Sequence, residues 1–262
     1  MILDKIITQK KKEVILAKKK LSLENLEKKA SALPQKERIF LKALQKNKKI
    51  AVIAEIKRRS PSKGLLCRDF DAKTIARQYE KAGASALSVL TDQKFFCGSA
   101  LDLKSVKKVS GLPVLRKDFI IDLYQVYESR LMGADAILLI AGILSKENLK
   151  KFYATAEAIG LDVLFEVHSL RDIKKIVSLS PKLVGINNRD LRNFKVSLDT
   201  TKKLIKYLPK GAFAISESGI HSSQDLKALK ALGVRGVLIG EHFMRDKNPG
   251  VALQSLIKGK HE

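Results

Sequence analysis

The sequence predicts an α/β fold, a (β/α)8 TIM barrel with an N-terminal helical extension. Three observations predict it. From residue 51 onward, short runs rich in Val, Ile and Leu alternate with amphipathic helical stretches, and there are eight such pairs. Strands that are almost continuously apolar belong to parallel sheets covered on both faces. The length of 262 residues suits one barrel domain. A doubly wound open sheet is the alternative.

The predicted strands are short and apolar until their last positions. They span residues 51–57, 86–91, 113–119, 136–141, 162–167, 183–188, 212–217 and 236–240. The predicted helices span residues 71–82, 99–109, 122–132, 145–159, 169–178, 197–208, 221–232 and 248–258. Several helices end in a glycine that suits a left-handed C-cap, as in LMGAD (131–135) and ALGV (231–234).

Residues 1–48 precede the first strand and form no strand–helix unit. Their apolar residues recur at helical intervals between lysines, with a break near Ser31–Pro34. We therefore predict a helical extension that covers one end of a barrel formed by residues 49–262. No linker rich in Gly, Ser or Pro follows residue 50, so residues 1–262 are predicted to form a single domain.

Composition and charge restrict the class of partner. No apolar stretch approaches the ~20 residues that cross a bilayer, so no membrane association is expected. Two cysteines without metal-type spacing indicate a reducing, cytoplasmic setting. The net charge of +24 comes from lysines scattered over helix faces, and Trp is absent. This pattern favours a solvated, monomeric protein with an anionic small-molecule substrate; a basic nucleic-acid-binding protein is the alternative.

Polar residues gather at the carboxyl ends of the predicted strands, where barrels of this class carry their active sites. Residues two apart share a strand face, so Glu55 and Lys57 lie on the inward side with Ile53. An acid and a base facing inward are costly unless a charged group meets them. The inward polar residues are Glu55, Lys57, Lys117, Glu166, Asn187 and Glu217, with Arg189 at the rim. We interpret this set as the catalytic residues of an active site at the open, carboxyl-terminal end of the barrel.

The loops after the last two predicted strands indicate a phosphate site. SESGI (216–220) and LIGEHF (238–243) each have a glycine between a strand and a helical stretch. Backbone N–H groups at such positions point at an anion, and glycine allows the close approach. Ser60, in the loop after the first strand, can supply a further donor.

In order and spacing, several motifs resemble those of the indole-3-glycerol-phosphate synthase family: AEIKRRSPSKG, TDQKFFCGS, LRKDFIID, FEVHS, GINNRDL, SESGI and LIGEHFM. The resemblance covers residues 1–258. It implies a lyase of tryptophan biosynthesis without cofactor or metal. Its substrate, 1-(2-carboxyphenylamino)-1-deoxyribulose 5-phosphate, closes to an indole with loss of carbon dioxide and water. A phosphoribosyl-amine isomerase on a related barrel is disfavoured, because such isomerases use an Asp or Cys acid–base pair.

The resemblance implies catalytic roles. Lys117 matches the general acid that makes the ribulose carbonyl electrophilic; whether Lys57 shares this role or holds the substrate carboxylate stays open. Glu166 matches the carboxylate that faces the cation developing on the anilino nitrogen, and it can act as base in the dehydration. Glu55 and Asn187 match positions that orient hydroxyl groups and assist the loss of water.

The resemblance also implies substrate contacts. Glu217 matches a supporting member of the charge network, and Arg189 and Ser218 match contacts at the rim. The residues expected to wall the aromatic ring are Leu90, Phe96, Leu115, Phe119 and Leu238. The phosphate is expected on Ser60 and on the backbone N–H groups of Gly219, Gly240 and Glu241.

Two histidines stand apart from these matches. His242 occupies a position where the family often has a small residue, which puts phosphate affinity in doubt rather than phosphate location. His168 shares the face of Glu166, and we predict a loop-packing role for it.

Overall fold

The computed structural model describes residues 2–47, 49–190 and 194–259. Its strands are β1 (Ala51–Ile56), β2 (Arg59–Ser60), β3 (Gly64–Leu65), β4 (Ala86–Leu90), β5 (Val114–Lys117), β6 (Ala136–Ile140), β7 (Asp162–Val167), β8 (Leu183–Asn187), β9 (Phe213–Glu217) and β10 (Gly236–Ile239). Its α-helices are α1 (Ile2–Lys20), α2 (Leu23–Ser31), α3 (Phe40–Gln45), α4 (Ala72–Lys81), α5 (Gln93–Phe96), α6 (Ala100–Val109), α7 (Leu123–Met132), α8 (Lys146–Ala158), α9 (Leu170–Ile176), α10 (Asp199–Leu204), α11 (Ser223–Ala231), α12 (Glu241–Met244) and α13 (Pro249–Lys258).

Eight parallel strands close into a barrel in the order β1-β10-β9-β8-β7-β6-β5-β4. The predicted (β/α)8 barrel is confirmed, and each of the eight predicted strands corresponds to a barrel strand. The hairpin β2–β3 and the helices α5 and α12 were not predicted, because two to four residues are too few to show a period. These short elements all lie in loops that follow barrel strands.

The predicted helix 197–208 is shorter than its pattern. It is α-helical only over α10 and continues as a 3-10 turn over Ile205–Tyr207. Leu208 is extended, with a ψ of 149°. Pro209 follows it, and a residue before proline is pushed out of the helical region. The proline therefore sets the end of this helical segment.

The N-terminal extension reaches both ends of the barrel. Phe40 and Leu44 of α3 are fully buried in the cluster that fills the barrel, beside the first residues of the strands. The prediction that the extension covers one end holds for α3. α1, in contrast, runs to the other end, where Ile2, Leu3 and Ile6 line a cavity. None of the described helices is long and apolar enough to cross a lipid bilayer.

A buried lysine holds α1 on the barrel. Lys10 Nζ lies 2.9 Å from Asp92 Oδ2, 2.9 Å from Asp118 Oδ1 and 2.8 Å from Glu13 Oε2. Burial lowers the pKa of Lys10, but the carboxylates of Asp118 and Asp92 outweigh it and raise that pKa above its usual value. Arg116, also buried, pairs with the other Asp118 oxygen at 3.0 Å. The extension is thus tied directly to the residue that follows Lys117.

Candidate active site

A layer of four charged side chains closes the barrel interior at the carboxyl ends of its strands. The four alternate around the ring of strands, and we call them the charged layer: Glu55 on β1, Lys117 on β5, Glu166 on β7 and Glu217 on β9. Two residues earlier on the same strands lie Ile53, Leu115, Leu164 and Ile215, all fully buried. The inward-facing side chains therefore change from apolar to charged over two residues of each of these strands.

Lys117 is the centre of the charged layer. Its Nζ lies 2.7 Å from Glu217 Oε2 and 3.3 Å from Glu166 Oε2. Burial lowers the pKa of Lys117, but the carboxylates of Glu217, Glu166 and Glu55 raise it well above its usual value. The three carboxylates thus outweigh the effect of burial. Lys117 is an ammonium, held in place, at neutral pH.

Glu55 and Glu166 are the ionised carboxylates of the layer. Lys57 Nζ donates to Glu55 Oε1 at 2.6 Å; against the opposing effect of burial, Lys57 and Lys117 lower the pKa of Glu55. Burial likewise raises the pKa of Glu166, but Lys117, His168 and the Asn187 amide lower it to about 2. His168 Nε2 lies 2.9 Å from Glu166 Oε1. His168 therefore contacts a site residue, beyond the predicted loop packing.

Glu217 is the carboxylate that loses its proton last. Burial and the nearby charges of Glu166 and Glu55 raise its pKa to about 7, against the opposing effect of Lys117. Its Oε1 is buried and has no hydrogen-bond partner among the described residues. At neutral pH this carboxyl can therefore hold or release a proton.

Two glycines make room for the carboxylates. A Cβ atom at Gly185 on β8 would overlap Glu217 Oε1, and a Cβ atom at Gly240 would lie 2.5 Å from Glu55 Oε1. Gly240 has a φ of −130°, which any residue can adopt. Space for a neighbouring carboxylate, not backbone strain, is therefore what favours glycine at these two positions.

The charged layer forms the floor of a cavity of about 390 Å³. The predicted site residues that line it are Glu55, Lys57, Ser60, Leu90, Phe96, Lys117, Phe119, Glu166, Asn187, Arg189, Glu217, Ser218, Gly219, Leu238, Gly240 and Glu241. Leu115 is the exception and a correction to the prediction. It is fully buried one pleat below Lys117, so it packs under the floor and does not wall the cavity. Leu191 of the GINNRDL motif lies outside the described residues.

Several cavity residues were missed by the sequence analysis. Leu138 and Ile140 lie on β6, which carries no polar residue that would have pointed to the cavity. Ile2, Leu3 and Ile6 come from α1, whose pattern indicates a buried face without indicating what covers it. Inward parity on β6 was the one available signal for Leu138 and Ile140.

The opposite end of the cavity has the features of an anion site. Ser60 is buried, and its Oγ has no hydrogen-bond partner among the described residues. Ser218 and Gly219 follow β9 with φ values of 67° and 78°. A Cβ atom at Gly219 would lie 2.5 Å from Val196 Cγ1, so this loop also packs tightly. Backbone donors and one free hydroxyl therefore meet at the end of the cavity.

Arg189 and two histidines border this end. Arg189 Nη2 pairs with Glu241 Oε2 at 2.9 Å, and Nη1 approaches Ser62 Oγ at 3.5 Å. The rings of His221 and His242 meet edge to face with centroids 5.7 Å apart. Burial and the neighbouring His221 lower the pKa of His242. Both histidines line the cavity, so the bulky residue noted in the sequence lies at its wall.

The chemistry open to this cavity follows from its groups. It offers an ammonium fixed by carboxylates, ionised carboxylates that can stabilise a cation, and a carboxyl that titrates near neutrality. Within the described residues no group of three or more His, Cys, Asp or Glu side chains could hold a metal ion. Apolar side chains, among them Leu138, Ile140 and Phe119, line the same cavity.

Comparison with known proteins gives one consistent family. A family model described as indole-3-glycerol phosphate synthase matches residues 3–256. The indole-3-glycerol phosphate synthase of Acetivibrio thermocellus is 46% identical over 249 residues, 95% of this chain and 96% of that one. The synthase of Clostridium kluyveri is 48% identical over 246 residues, 94% and 93% of the two chains. That of Carboxydothermus hydrogenoformans is 43% identical over 263 residues, 98% and 100%.

Solved structures of low sequence identity share the fold. The KGPDC of Streptococcus mutans aligns with a TM-score of 0.61 at 14% identity, over 80% of this chain and 97% of that chain. The thiamine phosphate pyrophosphorylase of Pyrococcus furiosus aligns with a TM-score of 0.60 at 14% identity, over 80% and 94%. At such identity these likenesses show the barrel architecture alone.

Proposed function

This chain belongs to the indole-3-glycerol phosphate synthase family, and on that premise we propose how its residues divide the work. The enzyme closes 1-(2-carboxyphenylamino)-1-deoxyribulose 5-phosphate to indole-3-glycerol phosphate, carbon dioxide and water. Ring closure needs a proton for the ketone oxygen, a partner for the cation that develops, and a base for the final dehydration. The phosphate and the carboxylate need cationic or N–H partners at opposite ends of one cavity.

Lys117 is the general acid in this proposal. Its ammonium is held at 2.7 Å by Glu217 and at 3.3 Å by Glu166, and both contacts keep it protonated until a substrate oxygen accepts the proton. Lys57, paired with Glu55 at 2.6 Å, holds the carboxylate that leaves as carbon dioxide. The difference in partners supports this division, since among the described residues Lys57 has one carboxylate within 4 Å and Lys117 has two.

Glu166 faces the cation that ring closure creates on the anilino nitrogen. Because the pKa of Glu166 is about 2, its carboxylate is ionised at every pH at which the folded enzyme works. It therefore needs no reorganisation when the positive charge develops on the substrate. Glu55 and Asn187 orient the hydroxyl group that leaves as water. Glu217, which titrates near neutrality, supports the charge of Lys117.

The ring and the phosphate occupy the two ends of the cavity. Phe96 and Phe119, with ring centroids 6.0 Å apart, wall the aromatic ring of the substrate together with Leu90 and Leu238. The unpartnered Ser60 hydroxyl supports a phosphate at the other end. The groups proposed to bind that phosphate or the adjacent ribulose hydroxyls are Ser60, Arg189, Ser218 and the backbone N–H groups of Gly219, Gly240 and Glu241.

The placement of Lys117 among three carboxylates above an apolar core is the observation that carries this proposal. The test is to incubate the pure protein with the carboxyphenylamino-deoxyribulose phosphate and to follow indole fluorescence together with released carbon dioxide. Both should appear in equal amounts without added metal or cofactor. Fluorescence that requires an added ion, or carbon dioxide without indole, would contradict it.

We also propose a monomeric, single-domain, cytoplasmic enzyme without nucleic-acid partners. The net charge of +24 opposes self-association, and both cysteines are unpaired, as a reducing compartment favours. The burial of Phe40 and Leu44 in the barrel core supports one folding unit from the extension to the barrel. Light scattering at micromolar concentration and moderate salt tests the monomer, and a stable dimer would contradict it.

A further inference from the structure

His168 is a hydrogen-bond partner of Glu166 at the end of β7. It is the first residue after β7, and it is not among the residues that line the cavity. Its Nε2 is 2.9 Å from Glu166 Oε1, while Lys117 Nζ is 3.3 Å from Glu166 Oε2. Each oxygen of the Glu166 carboxylate therefore has a hydrogen-bond partner of its own, His168 at Oε1 and Lys117 at Oε2.

The loop around His168 is itself fixed. The backbone N–H of His168 donates to Asp172 Oδ2 at 3.1 Å, and the same oxygen accepts from Ser169 Oγ at 2.9 Å. Ser169 caps α9 by accepting from the backbone N–H of Asp172 at 3.2 Å. Because these bonds fix the backbone on both sides of the imidazole, its direction does not depend on substrate.

The hydrogen bond assigns the imidazole proton. An ionised carboxylate only accepts, so Nε2 donates to Glu166. Nδ1 is buried and has no hydrogen-bond partner among the described residues, so the bond to Glu166 does not require a proton on Nδ1. The charged groups that face His168 are Glu166 on β7, Glu217 on β9 and Asp172 on α9; they outweigh burial and raise the pKa of His168 above its usual value.

We propose that His168 is a positioning residue that keeps the Glu166 carboxylate ionised and aimed into the cavity while Lys117 gives up its proton. This inference rests on the proposed role of Glu166. When Lys117 protonates the ketone oxygen, Glu166 loses the positive charge that faces its Oε2. At that moment Glu166 must still oppose the cation on the anilino nitrogen. The donor on Oε1 keeps it from turning toward the neutral amine or taking up a proton.

The first experiment compares two substitutions of His168. In His168→Leu the donor is lost, and we expect kcat to fall on the order of tenfold with KM within twofold, since the lost bond is to a charged group. The fall in kcat should be the same at every pH at which the protein stays folded, because a carboxylate with a pKa of about 2 does not titrate there. In His168→Gln the side-chain amide can donate to the same oxygen, and most of kcat should return.

Controls separate positioning from loop damage. Leu170→Ala changes the exposed first residue of α9, two positions after His168, and should leave kcat and its pH profile unchanged. Glu166→Gln tests the premise: if this variant keeps full kcat, the proposed role of Glu166 fails. If Glu166→Gln is inactive while folded His168→Leu keeps the wild-type kcat, the positioning role alone is overturned. Equal losses in His168→Leu and His168→Gln would also overturn it.

A spectroscopic readout does not depend on activity or on the folding of His168 variants. The chain has four histidines, so imidazole nitrogen resonances can be assigned and titrated in the wild-type protein. His168 should stay protonated to a higher pH than a free imidazole. In Glu166→Gln its midpoint should fall, because the carboxylate that holds the proton is gone. An unchanged midpoint would show that the two groups are not coupled and would overturn the proposal.

Discussion

Lys117 Nζ and Glu217 Oε2 are 2.7 Å apart, although their strands β5 and β9 stand on opposite sides of the barrel. The pair therefore spans the barrel interior at the level where the apolar core ends. A substrate that enters from the mouth meets this pair as the floor of the cavity. The proton donor and the group that titrates near neutrality are consequently adjacent, with no solvent between them.

Replacing the proposed general acid should remove catalysis and spare the fold. Lys117→Met keeps the length and the apolar stem, and we expect kcat to fall by about 10²–10⁴-fold while substrate still binds through its phosphate. Lys104→Met, on the exposed face of α6, serves as control. Steady-state kinetics beside circular dichroism measure the effect. If folded Lys117→Met retained more than about a tenth of kcat, Lys57 would become the candidate acid.

Gly219→Ala should weaken substrate binding more than it weakens the fold. Its φ of +78° costs an alanine about 1–2 kcal/mol, and its new Cβ would press on Val196 Cγ1 in the loop proposed to bind phosphate. Gly233→Ala is the matched control, since φ is +92° and nothing lies within 4 Å of the new Cβ. Both variants should lose stability in urea titrations through the backbone, and Gly219→Ala should lose more because its Cβ also displaces Val196. A KM that rises equally in both, or in neither, would place the phosphate elsewhere.

Lys10→Met should destabilise the protein and open the cavity. Two buried carboxylates, Asp92 and Asp118, lose a cation at 2.9 Å, which typically costs about 3–5 kcal/mol. KM should rise as well, because α1 carries Ile2, Leu3 and Ile6 into the cavity wall. The exposed pair of Lys28 and Glu24 provides the control, and Lys28→Met should unfold like the wild type. Equal urea midpoints for the two variants would refute the anchoring role.

Glu217→Gln should change how stability depends on pH. Burial and neighbouring carboxylates raise the pKa of Glu217 to about 7 in the folded protein, so its contribution is full below the unfolded value and lost as pH rises through 7. Between pH 5 and pH 8, the wild type should lose about 2 kcal/mol more than the variant. Unfolding in urea across this range gives the two curves, with exposed Glu24→Gln as control. Parallel curves would contradict the prediction.

Sequence periodicity predicts the barrel and the parity of the charged layer because both depend on local pattern. The alternation of side chains does not show how far along a strand the cavity begins. Leu115 was therefore predicted to wall the cavity, although it is fully buried two residues before the charged layer. Lys10 resembles every other lysine of α1, and its partners Asp92 and Asp118 become visible only in three dimensions. His168 shares the strand face of Glu166 in the sequence, but their hydrogen bond becomes visible only in the structure.

The gaps at Gly185 and Gly240 have a consequence for protein engineering. Glu217 and Glu55 occupy volume that the neighbouring strands leave empty, so the carboxylates and the glycines form a single steric unit. Transplanting the four charged residues onto another barrel would fail wherever the adjacent positions carry side chains. A successful graft would have to carry six residues, two of which contribute no side chain to the chemistry.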